Sequence, residues 1–179
     1  MTLQDYIQEV KKDITDQEWR SYHLGNYYMS SIQQGIQAAH AQMELFNKYG
    51  SIKIESPTKD HMQKLGYLYT WSINHKTMIC LNGGANKELN QAWEIVDNEN
   101  NPYPYSVFTE SKDAMNGMLT NVCFVIPSRI FQTSSFLRKK EIFIENNIVK
   151  SIENNEQIIP LSQIEVDIIN LITYLPKAS

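Results

Sequence analysis

The sequence predicts a small α/β domain, a mixed sheet with helices on both faces. Three observations predict it. Short β-branched runs alternate with amphipathic stretches from Trp19 to Pro127. Turn residues separate them at Gly25-Asn26, Pro57-Thr58 and Asn82-Gly83-Gly84. Met118 to Ile126 is a continuous apolar run with β-branched residues, as a central strand covered on both faces requires. At 179 residues the chain is long enough to bury a core of its own, so residues 1–179 read as one domain.

Each element has a local reason. Thr2 is a plausible cap for an N-terminal helix whose apolar face is Leu3, Tyr6, Ile7, Val10 and Ile14. Trp19 to Leu24 reads as the first strand. From Ser30, the series Ile32, Ile36, Ala39, Met43 and Phe46 has helical spacing, and Ser30 with Gln33 or Ser31 with Gln34 satisfies a capping box. That apolar stripe is expected to face the core, with Gln33, Gln37, His40 and Glu44 as a polar row on the other side. A second helix follows Pro57-Thr58 with Met62, Leu65 and Tyr69, and Lys76 to Leu81 reads as a strand. A helix from Asn86 is expected to bury Leu89, Ala92, Trp93 and Val96, and Tyr105 to Thr109 reads as a strand.

After Pro127 the pattern changes. The runs 141–145 and 148–152 flank Asn146-Asn147, a pair suited to the positive φ angles of a hairpin turn. Gln157 to Ile159 adds a further short run, and Ser162-x-x-Glu165 caps a last helix carrying Ile164, Ile168, Leu171, Ile172 and Leu175. Residues 19–127 therefore read as the core and 128–179 as an extension.

Composition narrows the function. Apolar residues are 42% and charged residues 20% of the chain, as in an ordinary globular protein, and no segment has the length and apolarity of a membrane span. A cytoplasmic protein without membrane partners is expected. The net charge of −4 provides no global attraction for nucleic acid. The densest basic cluster, Arg138-Lys139-Lys140, reads as a solvated strand start. Cys80 and Cys123 lie in apolar runs and read as reduced core residues, with no metal-ligand spacing around either.

Two segments resemble the type II peptidyl-tRNA hydrolase family and its diverged relatives in phages and bacteria. Gly35-Ile36-Gln37-Ala38-Ala39-His40-Ala41 resembles the first-helix signature, a glutamine followed three positions later by His-Ala. Phe108-Thr109-Glu110, then Asn116-Gly117-Met118-Leu119-Thr120, resembles the acidic loop and the Gly-x-x-Thr lead into the last strand. The resemblance implies the family's fold over roughly residues 19 to 127. It also implies a site near the first helix, with Glu110 and Thr120 as catalytic groups if the chain hydrolyses an ester. Gln33 stands where the family has a lysine, and one hydroxyl of the family's Gly-Thr-x-Thr is replaced by Met118-Leu119.

Those differences set the alternatives. Ester cleavage needs an oriented water and donors for the developing oxyanion. Glu110, Thr120 and Gln33 can supply them, the last as a neutral donor weaker than an ammonium. The same groups suit capture without turnover. Gln33, Gln37, Asn116 and Thr120 offer paired donors and acceptors, and the amides at the Ser31 helix start can hold a phosphate oxygen. His40 belongs to the same face, although a helical histidine among small residues can also serve the core. Tyr27, Tyr28, Trp71, Tyr103 and Tyr105 are candidates for stacking on a base.

The expected partner is a small nucleotide-type ligand, such as a host signal captured in the host cytoplasm by a phage protein. The alternative partner is the acceptor end of tRNA. A third expectation is a protein-interaction module, with a homodimer or partner interface on the hairpins after Pro127. No cofactor or metal is expected.

Overall fold

The computed structural model describes residues 1–50 and 56–175, with Met115 described by its backbone alone. It is an α/β protein with two sheets. Two compact units are formed, one from Trp19–Ile126 and one from Met1–Glu18 with Pro127–Tyr174. Among the described residues no helix is long and apolar enough to cross a membrane.

The first unit contains a four-stranded sheet of order β2-β1-β4-β3. Strand β1 spans Trp19–Gly25, β2 Thr77–Asn82, β3 Tyr105–Thr109 and β4 Leu119–Pro127. β1 and β2 run parallel, from Arg20 opposite Thr77 to Gly25 opposite Asn82. β3 and β4 run antiparallel, with Tyr105 opposite Phe124 and a register shift after Phe108. The sheet is mixed, and every residue of β4 is buried, which accounts for its unbroken apolar run.

Helix α2 (Ser31–Gly50) begins at the Ser30/Gln33 capping box: the Ser30 amide donates to Gln33 Oε1 at 3.0 Å and the Gln33 amide to Ser30 Oγ at 3.3 Å. α3 (Lys59–Thr70) is capped by Thr58 and runs into a short π-helical turn at Trp71–His75, and α4 (Asn86–Val96) connects β2 towards β3. A four-residue helix α5, Lys112–Met115, precedes β4 and had no periodic signal in the sequence because it is a single turn.

One expectation is reversed. The buried face of α2 is Gln34, Gln37, Ala38, Ala41, Leu45 and Tyr49, whereas Ile32, Ile36 and Met43 are exposed. The reason is polar. Gln34 donates to the carbonyls of Asn26 and Met29, at 3.4 and 3.2 Å, and Ser106 Oγ donates to the Ala41 carbonyl at 2.6 Å. Satisfied buried amides and small residues seat the helix closely on the sheet, so spacing alone pointed to the opposite face.

In the second unit, α1 (Leu3–Val10) is capped by a Thr2/Asp5 box, as its sequence suggested. α6 (Ser128–Arg138) was not apparent from periodicity because its inner face is largely polar: Ser128, Gln132, Thr133 and Ser134 are all buried. Tyr6 and Thr133 hydroxyls meet at 2.8 Å, and the Thr173 hydroxyl donates to Ser134 at 3.0 Å. Arg138-Lys139-Lys140 accordingly sits at the end of this helix, where positive charge complements the helix dipole, and not at a strand start. Strands β5 (Ile142–Glu145), β6 (Ile148–Ser151) and β7 (Gln157–Pro160) form an antiparallel sheet. Its first turn places Asn146 and Asn147 at φ of 50° and 60°. α7 (Gln163–Tyr174) starts at the Ser162/Glu165 box.

Candidate functional site

Three predicted residues form one chain of hydrogen bonds. Gln37 Nε2 donates to Glu110 Oε1 at 2.7 Å, and the Thr120 hydroxyl donates to Gln37 Oε1 at 3.0 Å, with the Phe108 carbonyl as a second acceptor at 3.1 Å. Thr120 has no exposed surface. His40 is exposed and its ring stacks on Phe108 at 4.6 Å. The arrangement ties α2 to β3 and β4, but its donors and acceptors are already matched to each other.

The other predicted residues go elsewhere. Gln33 uses its carbonyl oxygen in the α2 capping box, which also engages its own amide, and Ser31 is exposed in the first turn. Tyr28 is exposed beside Tyr27, ring centroids 4.0 Å apart. Trp71 is buried with its indole nitrogen donating to the Thr77 carbonyl, and Tyr103 is buried against Trp19. Neither ring is available to stack on a ligand.

A cavity of about 290 Å³ lies beside this network, lined by Asn86, Asn90, Trp93, Thr109 and the segment Asn116-Gly117-Met118-Leu119. Asn116 is the predicted residue that reaches it. Asn86, Asn90 and Trp93 follow one another at spacings of four and three along α4, so they share a helical face. Trp93 is not core, as its sequence context suggested; 36% of its surface is exposed. The face formed by Leu89, Ala92 and Val96 fills the core in its place. Asn116 has φ of 53° and Gly117 φ of 72°, so the loop turns sharply to present its polar edge.

Asn26 holds the walls of this cavity together, a role not apparent from reading Gly25-Asn26 as a turn. It is fully buried; its Nδ2 donates to Asn86 Oδ1 at 3.2 Å and approaches Met118 Sδ at 3.6 Å. Its Oδ1 accepts from the Tyr28 amide at 3.1 Å, and its backbone amide donates to the Thr120 carbonyl at 3.1 Å.

Trp93 also borders a second cavity, of about 460 Å³, with Glu44, Asn47, Lys48, Asp97 and Tyr105. Lys48 Nζ sits 3.3 Å above the Tyr105 ring, and the Tyr105 hydroxyl donates to Asp97. Burial of the Lys48 amine lowers its pKa to about 8 against the opposing pull of Asp97. Burial, then the bond to Asp97, raises the Tyr105 phenol above its ordinary value.

A second polar cluster is sealed in the sheet. Cys123 Sγ lies 3.7 Å from His23 Nε2, and His23 Nδ1 lies 3.3 Å from Asn121 Oδ1. The order thiol, imidazole, amide resembles a nucleophilic triad, but its electrostatics run the other way. Burial pushes the Cys123 thiol up to about 12 and the His23 imidazole down to about 4, so both stay neutral. Cys80, expected in the core, is exposed because β2 is a terminal strand of the sheet.

Among the described residues no group of three or more His, Cys, Asp and Glu is placed to hold a metal ion. No protein-family model matches the chain, and no curated protein matches it.

Proposed function

We propose that this protein binds a small, nucleobase-bearing ligand without turning it over, on a unit of the type II peptidyl-tRNA hydrolase plan. The plan is supported by the Gln37 and His40 helix following β1 and by the Asn116 to Thr120 lead into β4. The observation that carries the binding reading is the cavity in which Trp93 is flanked by Asn86, Asn90 and Asn116. An indole supplies a stacking face, and primary amides supply the paired donor and acceptor that read the edge of a base.

The cavity lining carries no formal charge, so affinity resides in the base more than in a phosphate. The amide of Ala85 at the start of α4 is already capped by Glu88, at 3.0 Å, which leaves that helix end less open to an anion. Capture of a host signalling nucleotide by a phage protein is the biological form of this reading.

Binding is favoured over ester cleavage because the Thr120 hydroxyl is buried and bonded to Gln37 and Phe108. A catalytic hydroxyl has to reach its substrate. Titrating nucleosides and nucleotides into the protein while following Trp93 fluorescence tests the proposal, with Trp93→Leu as the control. Saturable quenching that the variant lacks supports it; release of the acyl group from charged tRNA would replace it with the hydrolase reading.

A further inference from the structure

We infer that two copies of this chain associate through β2 and the outward stripe of α2. On α2, Ile32, Ile36 and Met43 are 77%, 50% and 61% exposed, with Ala39 exposed among them. The flank of α2 carrying Lys48 and His40 meets β3 at Tyr105 and Phe108, while Gln42 reaches β1 by accepting from Ser21 at 3.2 Å. At 100° per residue the stripe continues around the helix beyond Gln42, away from the β3 flank and therefore towards β2.

β2 presents apolar surface on the same sheet face. Met78 and Cys80 pair in register with Ser21 and His23, so all four share the face on which α2 lies. Met78 is 43% exposed and Cys80 is exposed as well. β2 is also a terminal strand, with a backbone edge able to accept another strand.

A second copy is the occupant that fits. Ile32, Ile36, Met43 and Met78 together leave roughly 450 Å² exposed, within the range of the largest apolar patches on monomers. Ala39, Cys80 and the β2 backbone bring it towards the ~800 Å² per partner of a standard interface. The named side chains carry no charge, so laying the patch against itself brings no like charges together. A two-fold axis normal to the sheet pairs β2 antiparallel with its copy and keeps both α2 helices on one face. The two stripes then enclose Met78 and Cys80 of both copies, and the contact closes as a dimer.

Sedimentation of the full chain from about 1 to about 100 μM tests this, with the protomer concentration setting the dimer fraction. Wild type is expected at twice the 20.8 kDa chain mass. Ile36→Glu and Met78→Lys are each expected to shift dissociation at least ~100-fold towards monomer while retaining the wild-type circular dichroism spectrum. Ile152→Glu, an exposed change in the other unit, is expected to leave the dimer intact. A wild-type monomer across this range, assembly beyond a dimer, or a dimer that survives Ile36→Glu and Met78→Lys would overturn the inference. So would a dimer lost in Ile152→Glu, which would place the contact on the β5-β6-β7 sheet. Nucleotide binding does not enter the readout.

Discussion

The Thr120 hydroxyl donates to Gln37 Oε1 at 3.0 Å while Gln37 Nε2 donates to Glu110 at 2.7 Å, so one amide holds both residues best suited to ester chemistry. The bonds are internal and Thr120 is fully buried, which gives this trio a structural role in seating α2. Thr120→Val removes a donor and leaves the buried Gln37 and Phe108 oxygens short of a partner. It should destabilise the fold by about 1–3 kcal/mol in urea denaturation, with ligand affinity at the Trp93 cavity within about 2-fold of wild type. A large loss of affinity at unchanged stability would show that the hydroxyl contacts ligand instead.

His23 makes stability depend on pH. Burial lowers its folded pKa to about 4 from an ordinary 6.5, against the opposing bonds from Asn121 and Gln42. Above pH 6.5 both folded and unfolded states are neutral at this residue and its full contribution is present. Between pH 6.5 and 4 the unfolded chain takes up the proton first, so stability falls with falling pH, by up to about 3 kcal/mol from this group. Urea midpoints measured across that range should decline, and His23→Gln should flatten the decline. An equal slope in the variant would assign the dependence to other groups.

The two thiols should separate cleanly. Cys80 is exposed and Cys123 is sealed with its pKa pushed up to about 12. A thiol-reactive chromophore should therefore modify one cysteine rapidly in the native protein and the second only on unfolding. Rapid reaction of both would mean that the β1–β4 core opens readily.

Two glycines should respond in opposite directions to alanine. Gly66 lies within α3 with no atom within 4 Å of an added Cβ, so Gly66→Ala should stabilise by about 0.5–1 kcal/mol. At Gly83 the added Cβ would sit 2.5 Å from Leu89 Cδ2 and 2.9 Å from Leu24 Cβ, and both leucines are fully buried. Gly83→Ala should cost about 1–3 kcal/mol by overpacking. Thermal melts of the two variants against wild type check both signs.

The elements of the first unit were legible where a local rule decided them. The Ser30/Gln33 box started α2, Thr58 started α3, and the apolar run into Ile126 marked β4. The inward face of α2 was not legible because Gln34 and Gln37 are buried by long-range partners, Asn26 and Glu110, that spacing does not reveal. α6 was missed for the same reason, its buried serines and threonines being satisfied by Tyr6 and Thr173. Of the cavity, Asn116 was legible as an amide in a loop. Trp93 was absorbed into the core stripe of α4, although Asn86, Asn90 and Trp93 at helical spacing mark a separate face.

The Trp93 cavity is the centre of this account. The measurement that tests it most directly is mass spectrometry of small molecules retained by the purified protein after incubation with a nucleotide extract, alongside Trp93→Leu and Asn90→Leu. The account predicts a base-bearing compound recovered chemically unchanged from wild type, with retention reduced at least ~10-fold in each variant. Recovery of cleaved product, or equal retention by wild type and both variants, would contradict it.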